Sequence, residues 1–180
     1  MAKILRLLLL GLIGAAIVHI AIVLLVPFYA NKNAWSHLEA LGDNYNFYVL
    51  TERSGLVSDQ NPLMRQAACR FDLTDGPVRI TLKGKLPFWS LSIYTPNGDN
   101  LYSLNDKVSD ERELDLIIAD PIGIATLRAD GMHNYDHSII IEQDISEGAV
   151  VLRSFMPDAS WSGQVQNFFR QASCATFEKN

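Results

Sequence analysis

Imidazole and carboxylate groups crowd together at one place in this 180-residue chain, His133-Asn134-Tyr135-Asp136-His137, with Asp130 just upstream. Histidines four apart on a helix could share a zinc ion, but Gly131 and the apolar run Ser138 to Ile141 that follows read as a turn entering a strand. On a loop the spacing identifies no third ligand. The expectation is therefore a solvated loop with no metal and no cofactor, and His133, Asp136 and His137 stand as the ligand candidates should a loop-built site exist. Other chemistry is harder to place. There is no Gly-x-Ser-x-Gly elbow, Ser90 and Ser92 fall on the wet face of a strand, and neither cysteine sits in a catalytic signature. Asp106, Asp110, Glu111 and Glu113 form a charge run between strands, Asp75-Gly76-Pro77 is turn chemistry, and no glycine-rich phosphate loop is present. No catalytic residue is assigned.

The segment that must position everything else comes first. From Leu7 to Val26 the only polar side chain is His19. About twenty residues at a rise of roughly 1.5 Å cross a hydrocarbon core of about 30 Å. Lys3 and Arg6 precede the run, whereas Lys32, Glu39 and Asp43 follow it, which places the N-terminus in the cytoplasm and the rest outside. A cleaved signal peptide is the competing reading; the run is longer than a usual signal core, and Pro27-Phe28-Tyr29-Ala30 is a poor cleavage site. Within the span Gly11, Ala15 and His19 recur at intervals of four, with Gly14 beside them. Small residues let another helix approach closely, and an ionisable residue in a span usually faces protein. A neutral histidine near the outer interface is the alternative.

Residues 1–30 are thus expected to be tip and anchor, 31–44 a juxtamembrane helix or linker, and 45–180 one soluble domain. Pro27 is expected to kink or stop the membrane helix, with Trp35, Leu38 and Leu41 at helical spacing beyond it and Gly42 closing the segment. With 15 basic and 20 acidic residues the net charge is −5. No basic cluster interleaves with aromatics, which excludes nucleic acid as the expected partner. Cys69 and Cys174, on the exported side, are expected to form a disulfide; two buried free thiols are the alternative.

In the domain the hydrophobic period becomes two. Val78, Ile80 and Leu82 alternate with Arg79, Thr81 and Lys83, and Trp89, Leu91 and Ile93 with Ser90, Ser92 and Tyr94, as in half-buried antiparallel strands. Asn46 to Leu50, Leu114 to Ile118, Ser138 to Glu142 and Ala149 to Phe155 read as further strands. Thr95-Pro96-Asn97-Gly98-Asp99-Asn100 reads as a hairpin turn, and Gln143 to Gly148 as a second. Asp158 and Ser160 offer caps to a helix burying Trp161, Val165, Phe168 and Phe169, with a short last strand from Cys174 to Glu178. The expected fold is mainly β: an antiparallel β-sandwich or jelly-roll-like domain with one C-terminal helix, not a βαβ repeat.

Ala15-Ala16-Ile17-Val18-His19-Ile20 running to Pro27, Cys69-Arg70-Phe71-Asp72-Leu73 with Asp75-Gly76-Pro77-Val78-Arg79, and Phe88-Trp89-Ser90-Leu91-Ser92-Ile93-Tyr94 together resemble the small membrane-anchored members of the DUF1254/DUF1214 family. That resemblance implies a β-sandwich-like domain at the inner membrane of a double-membraned bacterium. The family has no assigned activity, so it carries over no catalytic or ligand residue. The expected function is a non-enzymatic accessory subunit, its helix in the bilayer beside a membrane or envelope protein partner. A periplasmic enzyme or ligand-binding domain with a site built from loops is the alternative.

Overall fold

The computed structural model describes residues 2–57, 61, 63–84, 86–108, 113–129 and 138–177, with backbone alone at 27, 28 and 30–33. Its first element, α1 (Ala2–Glu39), is a single helix of 38 residues. The part Ala2–Val26 is long and apolar enough to cross a membrane. Leu7, Ile17 and Leu24 there expose 70%, 62% and 71% of their surface, so no described residue covers them. Pro27 neither stops the helix nor separates a second one. A proline removes one backbone donor, a cost the unbroken turns on either side absorb, as they commonly do in helices of this composition. At roughly 57 Å the helix is nearly twice the thickness of a hydrocarbon core, so its last turns must project beyond one.

After α1 come β1 (Tyr48–Val49), a 3-10 turn at Glu52–Ser54, β2 (Met64–Asp72), β3 (Val78–Leu82), β4 (Trp89–Tyr94) and β5 (Asn100–Asn105). They are followed by β6 (Leu114–Ala119), α2 (Pro121–Ala129), β7 (Ile139–Glu142), β8 (Glu147–Phe155), α3 (Ser162–Gln171) and β9 (Ser173–Thr176). The fold is mainly β, with two sheets ordered β1-β2-β8-β4-β5 and β7-β6-β3-β9. Alternation decides the faces. Phe71, Leu91, Ile93, Val150 and Leu152 of the first sheet meet Val78, Ile80, Leu82, Leu116 and Ile118 of the second in one buried core, closed at one end by Val165, Phe168 and Phe169 of α3. Cys69 of β2 and Cys174 of β9 are joined by a disulfide, with Cα atoms 6.6 Å apart, so the bridge ties one sheet to the other.

Three expectations need correction. Gln143 to Gly148 is not a hairpin, because β7 lies in the four-stranded sheet while β8 pairs with β2 and β4 in the other. The four-stranded sheet is mixed, since β6 and β7 run parallel. A parallel pair needs a crossover, and α2 supplies it, adding a helix to the one expected. Asp120 starts α2 by accepting the Gly123 amide at 2.6 Å, and Ile124 and Leu127 form a small second core with Ile117 and Ala119 on the outer face of that sheet.

On the same outer face Arg79 forms a bidentate pair with Asp115, Nε to Oδ1 at 2.8 Å and Nη2 to Oδ2 at 2.5 Å, and Ser138 donates to Oδ2 at 2.8 Å. Burial pushes the Asp115 carboxyl up, but the hydrogen bonds from Arg79 and Ser138 and the Arg79 charge outweigh it and hold it below its ordinary value. A depressed folded value stabilises the domain above the unfolded carboxylate value near 4 and withdraws that stability as pH falls through the folded one. Asp115→Asn is therefore expected to lower neutral-pH stability by up to about 1 kcal/mol, since both partners are partly solvated. It should also flatten the acid limb of a stability-against-pH curve from urea melts; an unchanged limb would contradict the assignment.

Candidate functional site

The last turns of α1 do not stand free. They lie against the outer face of the five-stranded sheet, and three contacts hold them and the turn that follows at Gly42. His37 Nδ1 is 2.9 Å from the Ser54 carbonyl, the Arg70 guanidinium sits 6.0 Å over the Trp35 ring, and Arg70 Nη2 donates to the Gly42 carbonyl at 2.9 Å. The connection to β1 is pinned as well. Tyr45, at φ 65°, donates its amide to the Arg70 carbonyl at 2.9 Å, and its hydroxyl lies 2.6 Å from Asp75 Oδ2 and 2.8 Å from the Asp72 carbonyl. Burial first, then the Asp75 hydrogen bond, pushes that phenol up to about 12.

Gly55 makes the His37 contact possible. Its φ is +68°, and a Cβ there would overlap the His37 imidazole. Any L side chain would add the left-handed penalty of roughly 1–2 kcal/mol to that clash. Gly55→Ala should release the end of α1 and raise protease cleavage between residues 40 and 57, leaving the β core folded by circular dichroism. Unaltered cleavage would mean that this contact does not hold the helix.

Register sets the floor beneath α1. Reading across β2, β8 and β4, the outward residues form the rows Gln66–Arg153–Ser90, Ala68–Val151–Ser92 and Arg70–Ala149–Tyr94. Small side chains occupy the middle and an arginine stands toward each end. Between this floor and a roof of Trp35, Leu38 and Leu56 runs a groove of about 280 Å³, bordered by Pro96 and Gly98 of the β4–β5 turn. Arg153 enters it, with Nη2 donating to the Tyr94 hydroxyl at 3.0 Å and Nη1 to Ser92 Oγ at 3.3 Å. Its guanidinium also lies 5.8 Å from the Tyr94 ring centroid. Burial alone would push the Tyr94 phenol up; the hydrogen bonds with Arg153, Asn100 and Ser92 and the Arg153 charge together outweigh that and hold it below the ordinary value. Among the described residues neither Arg70 nor Arg153 meets a carboxylate, the one ion pair being Arg79 with Asp115.

A larger cavity of about 510 Å³ lies beyond β1, between Arg53, Arg65 and Phe169 of α3, and shares Leu50 and Gln66 with the groove. Its lining mixes charges of both signs and residues from four segments, with no nucleophile beside a base. Among the described residues no group of three or more His, Cys, Asp or Glu side chains could hold a metal.

His133, Asp136 and His137 lie outside the described residues; the Asp115–Ser138 hydrogen bond holds the first described residue after them. Gly11, Ala15 and His19 fall on one exposed side of α1, and a Cβ on Gly11 or Gly14 would meet nothing within 4 Å. Tyr94 and Arg153, which line the groove, and Arg70, His37 and Gly55, which hold the end of α1 beside it, are absent from the sequence-derived candidates. A signal existed for Arg153, a lone charge interrupting the apolar run Ala149 to Phe155, as Arg79 interrupts another.

No family model matches the chain, and no curated protein matches it. Among solved structures it is similar to the VPA0106 protein from Vibrio parahaemolyticus, with a TM-score of 0.59 and 11% identity over 83% of this chain and 35% of that one. An uncharacterised protein from Burkholderia cenocepacia superposes with a TM-score of 0.49 and 12% identity, over 82% of this chain and 39% of that one. The chain spans little more than a third of either, and the first likeness, at 11% identity, shows a shared fold alone.

Proposed function

We propose that this chain is a small membrane-anchored member of the DUF1254/DUF1214 family and an accessory subunit without enzymatic activity. In this reading α1 spans the inner membrane with its N-terminus in the cytoplasm, and the β-domain works in the periplasm beside a membrane or envelope partner. The observation that carries it is the continuity of α1 into its docked end. A tether would need no His37–Ser54 or Trp35–Arg70 contact; a helix that runs unbroken from an apolar span onto a sheet face fixes the domain's orientation relative to the bilayer. Such fixing serves a protein that presents a surface to something else in the membrane.

Two experiments test it. A reporter fused after Asn180 should be active only if it works outside the cytoplasm, with the intact N-terminal segment found by mass analysis; cleavage near Ala30 would remove the anchor. In the span, Ala15→Leu should block close helix approach and weaken co-purification with a partner. His19→Leu should do less, because interhelical hydrogen bonds in membranes average about 0.6 kcal/mol. If the double variant inserts and co-purifies like the wild type, the exposed side of α1 recognises nothing. The second reading, a ligand-binding domain, is favoured by one observation, the arginine-bearing groove at the end of α1.

A further inference from the structure

Building on the reading of α1 as a membrane anchor, we propose that the groove binds a fatty acid drawn from the adjacent leaflet, its carboxylate on Arg153 and its chain over Val151 and Ala149 beneath Trp35 and Leu38. Four observations converge on that ligand. The lining is mostly apolar, from Trp35, Leu38, Leu50, Leu56, Pro96 and Val151, so the occupant has an apolar body. Besides the Tyr94 ring, Arg153 meets only the neutral hydroxyls of Ser92 and Tyr94, which engage two of its five donors and leave it without an anionic partner among the described residues, so the occupant has an anionic end. The charge is also a single one. Arg153 is the one guanidinium among the residues lining the groove, Arg70 lying outside that lining on the Gly42 carbonyl and the Trp35 ring, and one guanidinium suits one carboxylate rather than a phosphate dianion. Finally, about 280 Å³ falls just under the usual range for ligand pockets, room for one chain and not for a two-chain lipid.

Position supplies the source. Trp35 stands nine residues after Val26, about 13 Å along the helix from the end of the apolar run, and since a headgroup layer is roughly 5–8 Å deep, the groove opens just outside the headgroups of a bilayer crossed by α1. An amphiphile leaving the adjacent leaflet has only a short step beyond the headgroups to reach it. Held there, it would also fill the space between helix and sheet and stiffen the junction.

The test uses the full chain in nanodiscs of zwitterionic phospholipid, titrated with ω-bromododecanoate while tryptophan emission is followed. Bromine quenches on contact, and Trp35 is the tryptophan that lines the groove. Saturable quenching is expected, abolished by Trp35→Phe. Arg153→Gln should raise the apparent Kd by about tenfold or more, and Arg153→Lys by less, since a cation remains without the planar fork. Val151→Phe, which fills the groove and keeps Arg153, should block binding too, and Arg170→Gln on the exposed side of α3 should change nothing. Near-ultraviolet circular dichroism checks that each variant is folded. Quenching linear in probe and equal in wild type, Arg153→Gln and Val151→Phe would overturn the proposal, as would equal affinity for the uncharged methyl ester. Tighter saturable binding of ω-bromododecyl phosphate would assign the groove to a phosphate amphiphile and overturn the carboxylate. Flotation with vesicles reports the anchor separately: a chain that fails to float overturns the membrane reading whatever the groove binds.

Discussion

Replacing Cys69 and Cys174 together by alanine is expected to cost this domain between about 2 and 5 kcal/mol. The bridge closes a loop of 105 residues, for which chain entropy alone gives about 4.7 kcal/mol. Its location adds a second reason. Cys69 pairs in register with Val150 in the five-stranded sheet and Cys174 with Ile80 in the four-stranded one, and both are buried in the shared core. Without the bridge, β9, only four residues long and on a sheet edge, keeps just its ladder to β3 and its place beside α3. Since domains of this size are stable by roughly 5–15 kcal/mol, the loss is a large share of the whole. Urea unfolding in mild detergent, with and without reductant, should show a lower midpoint and a steeper denaturant dependence in the reduced chain, because the unlinked unfolded state exposes more surface. Identical curves would mean that the two cysteines are not bridged in the protein.

The second large effect is expected from Trp89→Ala, at about 3–5 kcal/mol. Trp89 exposes 1% of its surface, opposes Ser154 of β8 in register, and carries its ring 6.3 Å from that of Phe168. It is the residue of the five-stranded sheet whose ring meets Phe168 of α3. Truncation leaves a void that neighbouring leucines fill only in part, since β4 is fixed on both sides by β8 and β5. The expected result is a lower thermal midpoint with loss of α3 amide protection in hydrogen exchange ahead of the strands. A shift of less than 1 kcal/mol would say that α3 is not seated on this ring.

What the sequence made legible is what local periodicity records. Val78 to Leu82 and Trp89 to Tyr94 alternate cleanly and are β3 and β4, and the Pro96-Asn97-Gly98 turn joins β4 to β5, with Gly98 at φ 84°. Val165, Phe168 and Phe169 lie on one helix face and are buried as their spacing implies. Pairing between distant strands leaves no such trace. Nothing between Ile141 and Ala149 tells a hairpin from a passage between sheets, because both need a turn of similar length and polarity. The helix α2 hides for another reason: nine residues give only Ile124 and Leu127 as a periodic signal, and its readable mark was the start, Asp120 followed by Pro121. The groove was invisible in principle, since its walls come from the end of α1, the Gly55 turn, the Gly98 turn and β8, which sequence spacing does not bring together.

The proposed function requires the β-domain to ride on α1 as one body. Spin labels at Val23→Cys in α1 and Ala125→Cys on the exposed side of α2, in a chain whose native cysteines are bridged, would measure that directly by pulsed electron paramagnetic resonance in nanodiscs. A single narrow distance distribution is predicted, broadened by Gly55→Ala. A broad distribution in the unmodified background, insensitive to Gly55, would show the helix to be a loose tether and contradict the account.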